Sequence, residues 1–418
     1  MANPSTVRPL PLTGIRVLDF TTFLSGPSAT QLLADLGADI VKIEPAVGDS
    51  SRSIPPHFLG DDSAYYLANN RNKRSVALDL KRPEGLDVAL RLIAVSDVVI
   101  ENFRPGVFAR LGIDKHAVTA ERPDLVWASI SGFGQFGPHH QRPAYDMIVQ
   151  AMSGVMSLTG HPDQPAARLG VPAGDVVAGM YAVIGVLSAL VSRADTGSGR
   201  IIDVSMLDSQ LGQLSYQSVY TMMSGRAPGR QGAGHDSIPT YRSFRGSDGA
   251  EFVVTANTQA MWERLCAAVG EPSLPDDPRF RDQTTRLQHK DELWDILEKV
   301  FAQQPADEWV SRLIGHQVPC APIRDVAEAL DDARGAGRGM VVELTDGSHS
   351  FEGVATPILF ENTETPPLRY PPRLGEQTRE VLEELLSLTP AECDRLAQSG
   401  AVFPPAPQAD PEEPHSAL

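Results

Sequence analysis

Asp175 stands directly ahead of the longest uncharged run of the chain, Val176 to Ser192, in the segment Ala173-Gly174-Asp175-Val176-Val177-Ala178-Gly179. A carboxylate at the mouth of an apolar helix lies near the partial positive charge of the helix N-terminus. It can stay ionised there in a mostly apolar setting and act as a nucleophile. The same position also suits a plain N-cap, which would do no more than satisfy orphan N–H groups. Three other segments gather polar groups where ligands bind in open α/β sheets. They are Asn69-Asn70-Arg71-Asn72-Lys73-Arg74, then Glu101-Asn102-Phe103-Arg104-Pro105-Gly106 with Arg110 following, and Ser131-Gly132-Phe133-Gly134-Gln135-Phe136-Gly137-Pro138. Cations at strand ends point to a phosphate-bearing ligand. A solvated basic turn with surface ion pairs is the plainer alternative.

The elements that would position these groups alternate strand and helix. Ile15–Phe20 reads as a strand, Gly26–Leu36 as a helix and Ala38–Glu44 as a second strand, which makes a βαβ unit. Pro83 marks a helix start, and Asp97–Glu101 and Leu125–Ile130 are further apolar strands. Such runs indicate a parallel sheet covered on both faces. The first βα turn lacks GxGxxG, so no nicotinamide or flavin site of the usual kind is expected. After Asp175 come a long helix, a strand at Arg200–Val204 and another helix to about Met223. Tyr241–Phe244 and Glu251–Ala256 read as a hairpin, followed by helices at Gln259–Val269, Thr285–Gln303 and Ala306–Ile314. The expected organisation is a large α/β domain over 1–224, a smaller α+β domain over 225–330 and a segment 331–402 returning to the first. A disordered Pro/Glu-rich tail over 403–418 completes it.

Composition narrows the class. The 418 residues are 42% hydrophobic and 21% charged, with a net charge of −17, which disfavours nucleic acid or an anionic membrane as partner. Cys266, Cys320 and Cys393 are scattered, which indicates a reducing, cytoplasmic setting and no disulfide framework or zinc site. Ten histidines form no HExxH pattern, and no metal is expected. Val176–Ser192 is at the short edge of a membrane span and contains Gly179, Tyr181, Gly185 and Ser188. A helix buried inside a large domain is the expectation. Met1 to Leu12 has no apolar core of the signal-peptide kind.

Nine segments in order resemble the class III CoA-transferases of the CaiB/BaiF type, the group of formyl-CoA transferase, carnitine CoA-transferase and α-methylacyl-CoA racemase. They are LTGIRVLDFTTFLSGP (Leu12–Pro27), LADLGADIVKIE (Leu33–Glu44), GDSSR (Gly48–Arg52), NRNKRSVALDLKRPEG (Asn70–Gly85) and VVIENFRPGV (Val98–Val107). SISGFGQFGP (Ser129–Pro138), YDMIVQAMSG (Tyr145–Gly154), AGDVVAG (Ala173–Gly179) and LGEQT (Leu374–Thr378) follow. The resemblance implies a large Rossmann-like domain with a small domain, and an interlocked homodimer. It implies coenzyme A, carried as an acyl-CoA substrate, with a free carboxylic acid as co-substrate. Asp175 takes the place of the nucleophile, which forms a mixed anhydride and then an aspartyl-CoA thioester.

By the same resemblance, Thr22, Phe23 and Leu24 line the CoA and active-site entrance, and Asn72, Lys73, Asn102 and Phe103 lie along the CoA path. Arg104 and Arg110 match positions that meet the nucleotide phosphates, and Tyr145 and Asp146 stand near the nucleophile. Gly232-Ala233-Gly234 resembles a glycine loop that covers the intermediate, although it is shorter than that of formyl-CoA transferase. Leu24 replaces a glutamine of that enzyme, which favours a larger, partly apolar acyl group over oxalate or formate. The racemases place a histidine where this chain has Tyr145, a group poorly matched to α-proton transfer at neutral pH. Transfer is therefore preferred to racemisation. A non-catalytic CoA-binding scaffold is the reading from another class, and it would need no Asp175.

Overall fold

The computed structural model describes residues 7–405. Most of the tail expected to be disordered therefore lies outside the described residues. The chain divides into two compact units. One comprises the described residues through Val155, then Leu169–Val219, then the described residues from Gly339 onward. The other is Met156–Arg168 with Tyr220–Arg338.

The first unit is built on six strands: β1 (Arg16–Asp19), β2 (Asp39–Glu44), β3 (Lys73–Ala77), β4 (Val98–Glu101), β5 (Val126–Ser131) and β6 (Ile201–Ser205). All neighbours are parallel, and the spatial order is β3-β2-β1-β4-β5-β6. This is the doubly wound order, whose reversal between β1 and β4 opens a crevice at the carboxyl ends of those two strands. Side chains alternate between two cores. Val17, Ile40, Val98, Ile100 and Val126 face one, under the helices α1 (Ser25–Asp35) and α4 (Ala173–Thr196). Leu18, Val41, Val99 and Trp127 face the other, under α2 (Pro83–Ala94) and the C-terminal helix Thr378–Leu386. Burial on both faces explains why these strands read as continuous apolar runs.

The strand at Lys73–Ala77 corrects the sequence reading, which named no strand there and took Asn69–Arg74 as a polar strand-end segment facing a ligand, with a solvated basic turn as the alternative. The C-terminal segment closes this outer strand: Gln377 N donates to Ser75 O at 3.0 Å, and Ala77 N donates to Thr378 Oγ1 at 3.1 Å. An otherwise open sheet edge is thereby covered.

α4 also departs from expectation. It is long and apolar enough to cross a membrane by length and composition, yet Ala178, Ala182, Val183, Val186 and Ala189 pack on the core of the first unit. Its opposite face is exposed rather than buried within the domain: Ile184 is 58% and Val191 71% accessible, and Met180 and Tyr181 lie in the same row. Within one chain only one side of the helix meets the sheet and α1.

The second unit is an α+β body. Tyr241–Arg245, Glu251–Thr255 and Cys320–Pro322 form an antiparallel sheet with Glu251–Thr255 at its centre. Phe252, Trp262, Leu297, Phe301 and Trp309 fill its core.

Candidate functional site

The site grows from the start of α4. Pro172 holds the N-cap position and, having no polar side chain, leaves the first N–H groups to other partners. Asp175 is the third residue of the helix, within its first turn and not at the N-cap, so the capping role considered for it is not the one it has. The carboxylate that meets the helix end is that of Asp146, first residue of α3 (Asp146–Met152): its Oδ1 accepts from Gly174 N at 2.7 Å. Its Oδ2 accepts from Gln150 Nε2 at 2.6 Å. The close approach explains Gly174, because a Cβ there would stand 2.7 Å from Val149 Cγ2 and 2.9 Å from Asp146 Oδ1. One turn further, a Cβ on Gly179 would stand 2.7 Å from Ser25 O and 2.8 Å from Ser28 Oγ. These two glycines bring α4 against α3 and α1.

Around Asp175 the charge balance differs from the sequence expectation of a carboxylate that the helix N-terminus can keep ionised. Burial, and then the negative charge of Asp146, push its carboxyl up to about 7, against a hydrogen bond from Ser25. Desolvation and a neighbouring like charge both disfavour the carboxylate, and the helix terminus does not overcome them. Tyr65, in the short helix Ala64–Leu67, faces the same carboxylates. Burial, then Asp175, Asp146 and Asp49, push its phenol up to about 12. Sequence reading missed Tyr65, since a tyrosine beside Tyr66 carries no spacing signal.

The loop after β1 forms the floor of the crevice. Phe23 has a φ of 71°, a left-handed conformation that a bulky residue adopts only under constraint. The constraint is a buried polar frame. Phe23 N donates to Asp49 Oδ1 at 3.1 Å, and Lys42 Nζ donates to Asp49 Oδ2 at 2.9 Å and to Thr21 O at 2.7 Å. Burial works against the Asp49 charge, but Lys42 and the N–H groups of Ser51 and Phe23 outweigh it and hold the carboxyl down at about 2. From β4, Asn102 reaches across the crevice: its Oδ1 accepts from Thr22 N at 2.9 Å and its Nδ2 donates to Thr22 O at 2.8 Å. The Phe23 ring lies between those of Tyr65 and Tyr145, at centroid distances of 5.4 and 5.9 Å. Leu24 is buried at the N-cap of α1, and Tyr145 is exposed at the N-cap of α3. Thr22, Phe23, Asn102, Tyr145, Asp146 and Asp175 thus share one neighbourhood.

The basic residues split into two groups. Arg71, Lys73 and Arg74 are buried and paired internally with Asp35, Asp19 and Asp39. The Lys73 ammonium is enclosed between Asp19, Pro27 O and Asn70, and burial, only partly offset by Asp19, pulls it down to about 8. Asn72 is held by Asp35 and the backbone of Arg369. This cluster holds the fold together and does not offer its charges to a phosphate. Arg104 and Arg110, by contrast, are exposed and make no side-chain ion pair among the described residues. Phe103 stacks on Phe108 at 5.5 Å. Gly232, Ala233 and Gly234 belong to the second unit, where Gly232 N donates to Gly160 O at 3.0 Å. Among the described residues no cluster of three or more His, Cys, Asp or Glu is arranged to hold a metal ion.

Comparison with known proteins gives matches along most of the chain. The family model for CoA-transferase family III matches residues 12–378. The chain is 38% identical over 387 residues to a succinate–glutarate CoA-transferase of Agrobacterium fabrum, covering 90% of this chain and 96% of that protein. It is 40% identical over 335 residues to an acetyl-CoA:oxalate CoA-transferase of Acetobacter aceti, covering 80% and 86%. The crystal structure of a CAIB/BAIF family protein from Brucella suis matches with a TM-score of 0.80 at 35% identity, covering 90% of this chain and 100% of that one.

Proposed function

The chain belongs to CoA-transferase family III and is an enzyme of that class, and on that premise we propose that it moves coenzyme A from a dicarboxylic acyl-CoA to a free dicarboxylic acid, with Asp175 as the acyl carrier. The observation that carries this reading is the placement of one carboxyl, Asp175, inside the first turn of α4 and beside the crevice between β1 and β4. With its carboxyl near 7, a substantial fraction is ionised at neutral pH, and the retained basicity makes that fraction a better nucleophile.

The carboxylate attacks the thioester carbonyl, the C–S bond breaks, and a mixed anhydride and a CoA thiolate result. The thiolate attacks the aspartyl carbonyl of the anhydride and the donor acid leaves, giving an aspartyl-CoA thioester. The acceptor carboxylate attacks that thioester and expels the thiolate. The thiolate then takes the acceptor acyl group, restoring the Asp175 carboxylate. Thioester and carboxylate are exchanged for their like, so no other energy source is needed. Backbone N–H groups in the crevice would receive the oxyanions.

Arg104 and Arg110 are exposed cations free to meet the phosphates of CoA, and charge-assisted bonds of this kind suit Arg. The named relatives transfer between succinate and glutarate or to oxalate. Buried Leu24 favours a chain of four or five carbons over the shortest diacid. The exposed apolar row of α4 supports a homodimer, since a patch of that kind marks a protein interface.

Incubation with succinyl-CoA and mass spectrometry of the Asp175 peptide tests the proposal. An acyl or CoA adduct that disappears in Asp175→Asn is expected, and full transfer activity in that variant would refute it. α-Proton exchange of a 2-methylacyl-CoA in D2O, without transfer, would favour the racemase chemistry instead.

A further inference from the structure

Asp146 and Asp175 stand on different helices, yet the side chain of one is tied to the backbone that carries the other. Two acceptors on α3, one turn apart, pin both ends of the segment leading into α4. Gln150 Oε1 accepts from Leu169 N at 2.9 Å, and Asp146 Oδ1 accepts from Gly174 N at 2.7 Å. Gln150 Nε2 donates to Asp146 Oδ2 at 2.6 Å, which locks the two acceptors together. Ser153, further along the same backbone, donates to Gln210 Oε1 at 2.9 Å and fixes that buried amide beside Gly174. Since Pro172 offers the helix no side-chain cap, the brace from α3 replaces one.

We propose that Asp146 is a positioning residue for Asp175, holding the first turn of α4 through its Oδ1 and placing a fixed negative charge beside the nucleophile. This rests on the reading of Asp175 as the acyl carrier. The groups that face Asp175 are Ser25 of α1, Asp146 of α3 and Tyr65 of the helix Ala64–Leu67, and none of them is a cation. A like charge without a compensating cation keeps the Asp175 carboxyl basic. The hydrogen bond from Gly174 N separately fixes the backbone immediately before Asp175. Helix capping alone would account for the backbone contact but not for the second charge at the site.

The test uses the whole protein as Asp146→Asn and Asp146→Ala, with two readouts. One is the pH dependence of Asp175 adduct formation with succinyl-CoA between pH 5 and 9. The other is amide hydrogen exchange at the start of α4. Asn keeps an oxygen for Gly174 N but removes the charge. In D146N the midpoint of the pH profile is expected to fall by about one unit or more, with exchange well below that of D146A. In D146A exchange is expected to rise about tenfold, as for a lost cap, and the maximal rate of adduct formation to fall. An unchanged midpoint in D146N, or unchanged exchange in D146A, would overturn the assignment. If D146A does not fold, D146N still decides the matter through its midpoint. Absence of any Asp175 adduct in the native protein would instead defeat the nucleophile reading, and the exchange comparison would then judge the brace alone.

Discussion

In the role proposed for it, Asp175 combines two demands that pull in opposite directions. A nucleophile is needed as the carboxylate, whereas burial and Asp146 favour the neutral acid and push the group up to about 7. The consequence for stability has a definite sign. The unfolded chain ionises this carboxyl near pH 4 and the folded protein only near pH 7. Its contribution to stability is therefore whole below pH 4, is lost as pH rises to about 7, and stays lost above. Asp175→Asn is expected to be more stable than the native protein at pH 8 by on the order of 4 kcal/mol, and equal to it at pH 4, in thermal melts across that range. The same variant should form no adduct, so stability and activity move apart. Arg104 and Arg110 make the complementary prediction. Replacement of either by Ala should raise KM for acyl-CoA about tenfold with little change in kcat, and the native KM should rise with salt. A loss confined to kcat would argue against a phosphate contact.

Helices and strands matter through how closely they approach. Gly179 lets α4 lie against Ser25 and Ser28 of α1, and Ser25 is the group that hydrogen-bonds Asp175. Gly179→Ala would gain about 1 kcal/mol of helix propensity, yet overpacking in such a contact costs about 1–3 kcal/mol. A net loss in denaturant unfolding is expected, together with slower adduct formation because Ser25 is displaced. The loop after β1 depends in the same way on Lys42, which is fully buried between Asp49 and Thr21 O. Lys42→Met would leave Asp49 as an uncompensated buried charge. It should destabilise the protein by about 3–5 kcal/mol, read from the denaturation midpoint, and release Phe23 from its left-handed backbone.

For the whole molecule the informative surface is the one a single chain leaves uncovered. Ile184 and Val191 project from α4 into solvent although the helix is the most apolar segment of the protein. If these residues are covered by a second copy, sedimentation of the native protein should give twice the chain's mass. Ile184→Glu combined with Val191→Glu should then shift it toward the monomer while adding two charges to an already acidic chain. A native protein that sediments as a monomer at all concentrations would remove the dimer from the proposal.

Much of this architecture was legible in the residues themselves. Apolar runs at 15–20, 38–44, 97–101 and 125–130 marked parallel strands buried on both faces, and each is a strand of the sheet within a residue or two. They are readable because burial on both sides leaves no alternation to misread. Asp175 and the strand-end segments around Phe23 and Asn102 were also recognisable, through residue type and order along the chain. Three things were decided only by the tertiary structure. The Asn69–Arg74 cluster looked like a ligand-facing segment at a strand end, but its last two residues begin a buried edge strand. Its cations are neutralised by Asp35, Asp19 and Asp39, partners 30 or more residues away. Tyr65 entered the site because its helix is brought toward α4, which no local spacing reports. The ionisation of Asp175 followed from its burial and then from Asp146, 29 positions earlier in the chain. Local sequence determines which segments become strand or helix through hydrophobic period and backbone preference. Which charges meet, and which are stripped of water, depends on long-range packing, and it is this that sets the chemistry of the carboxyl group.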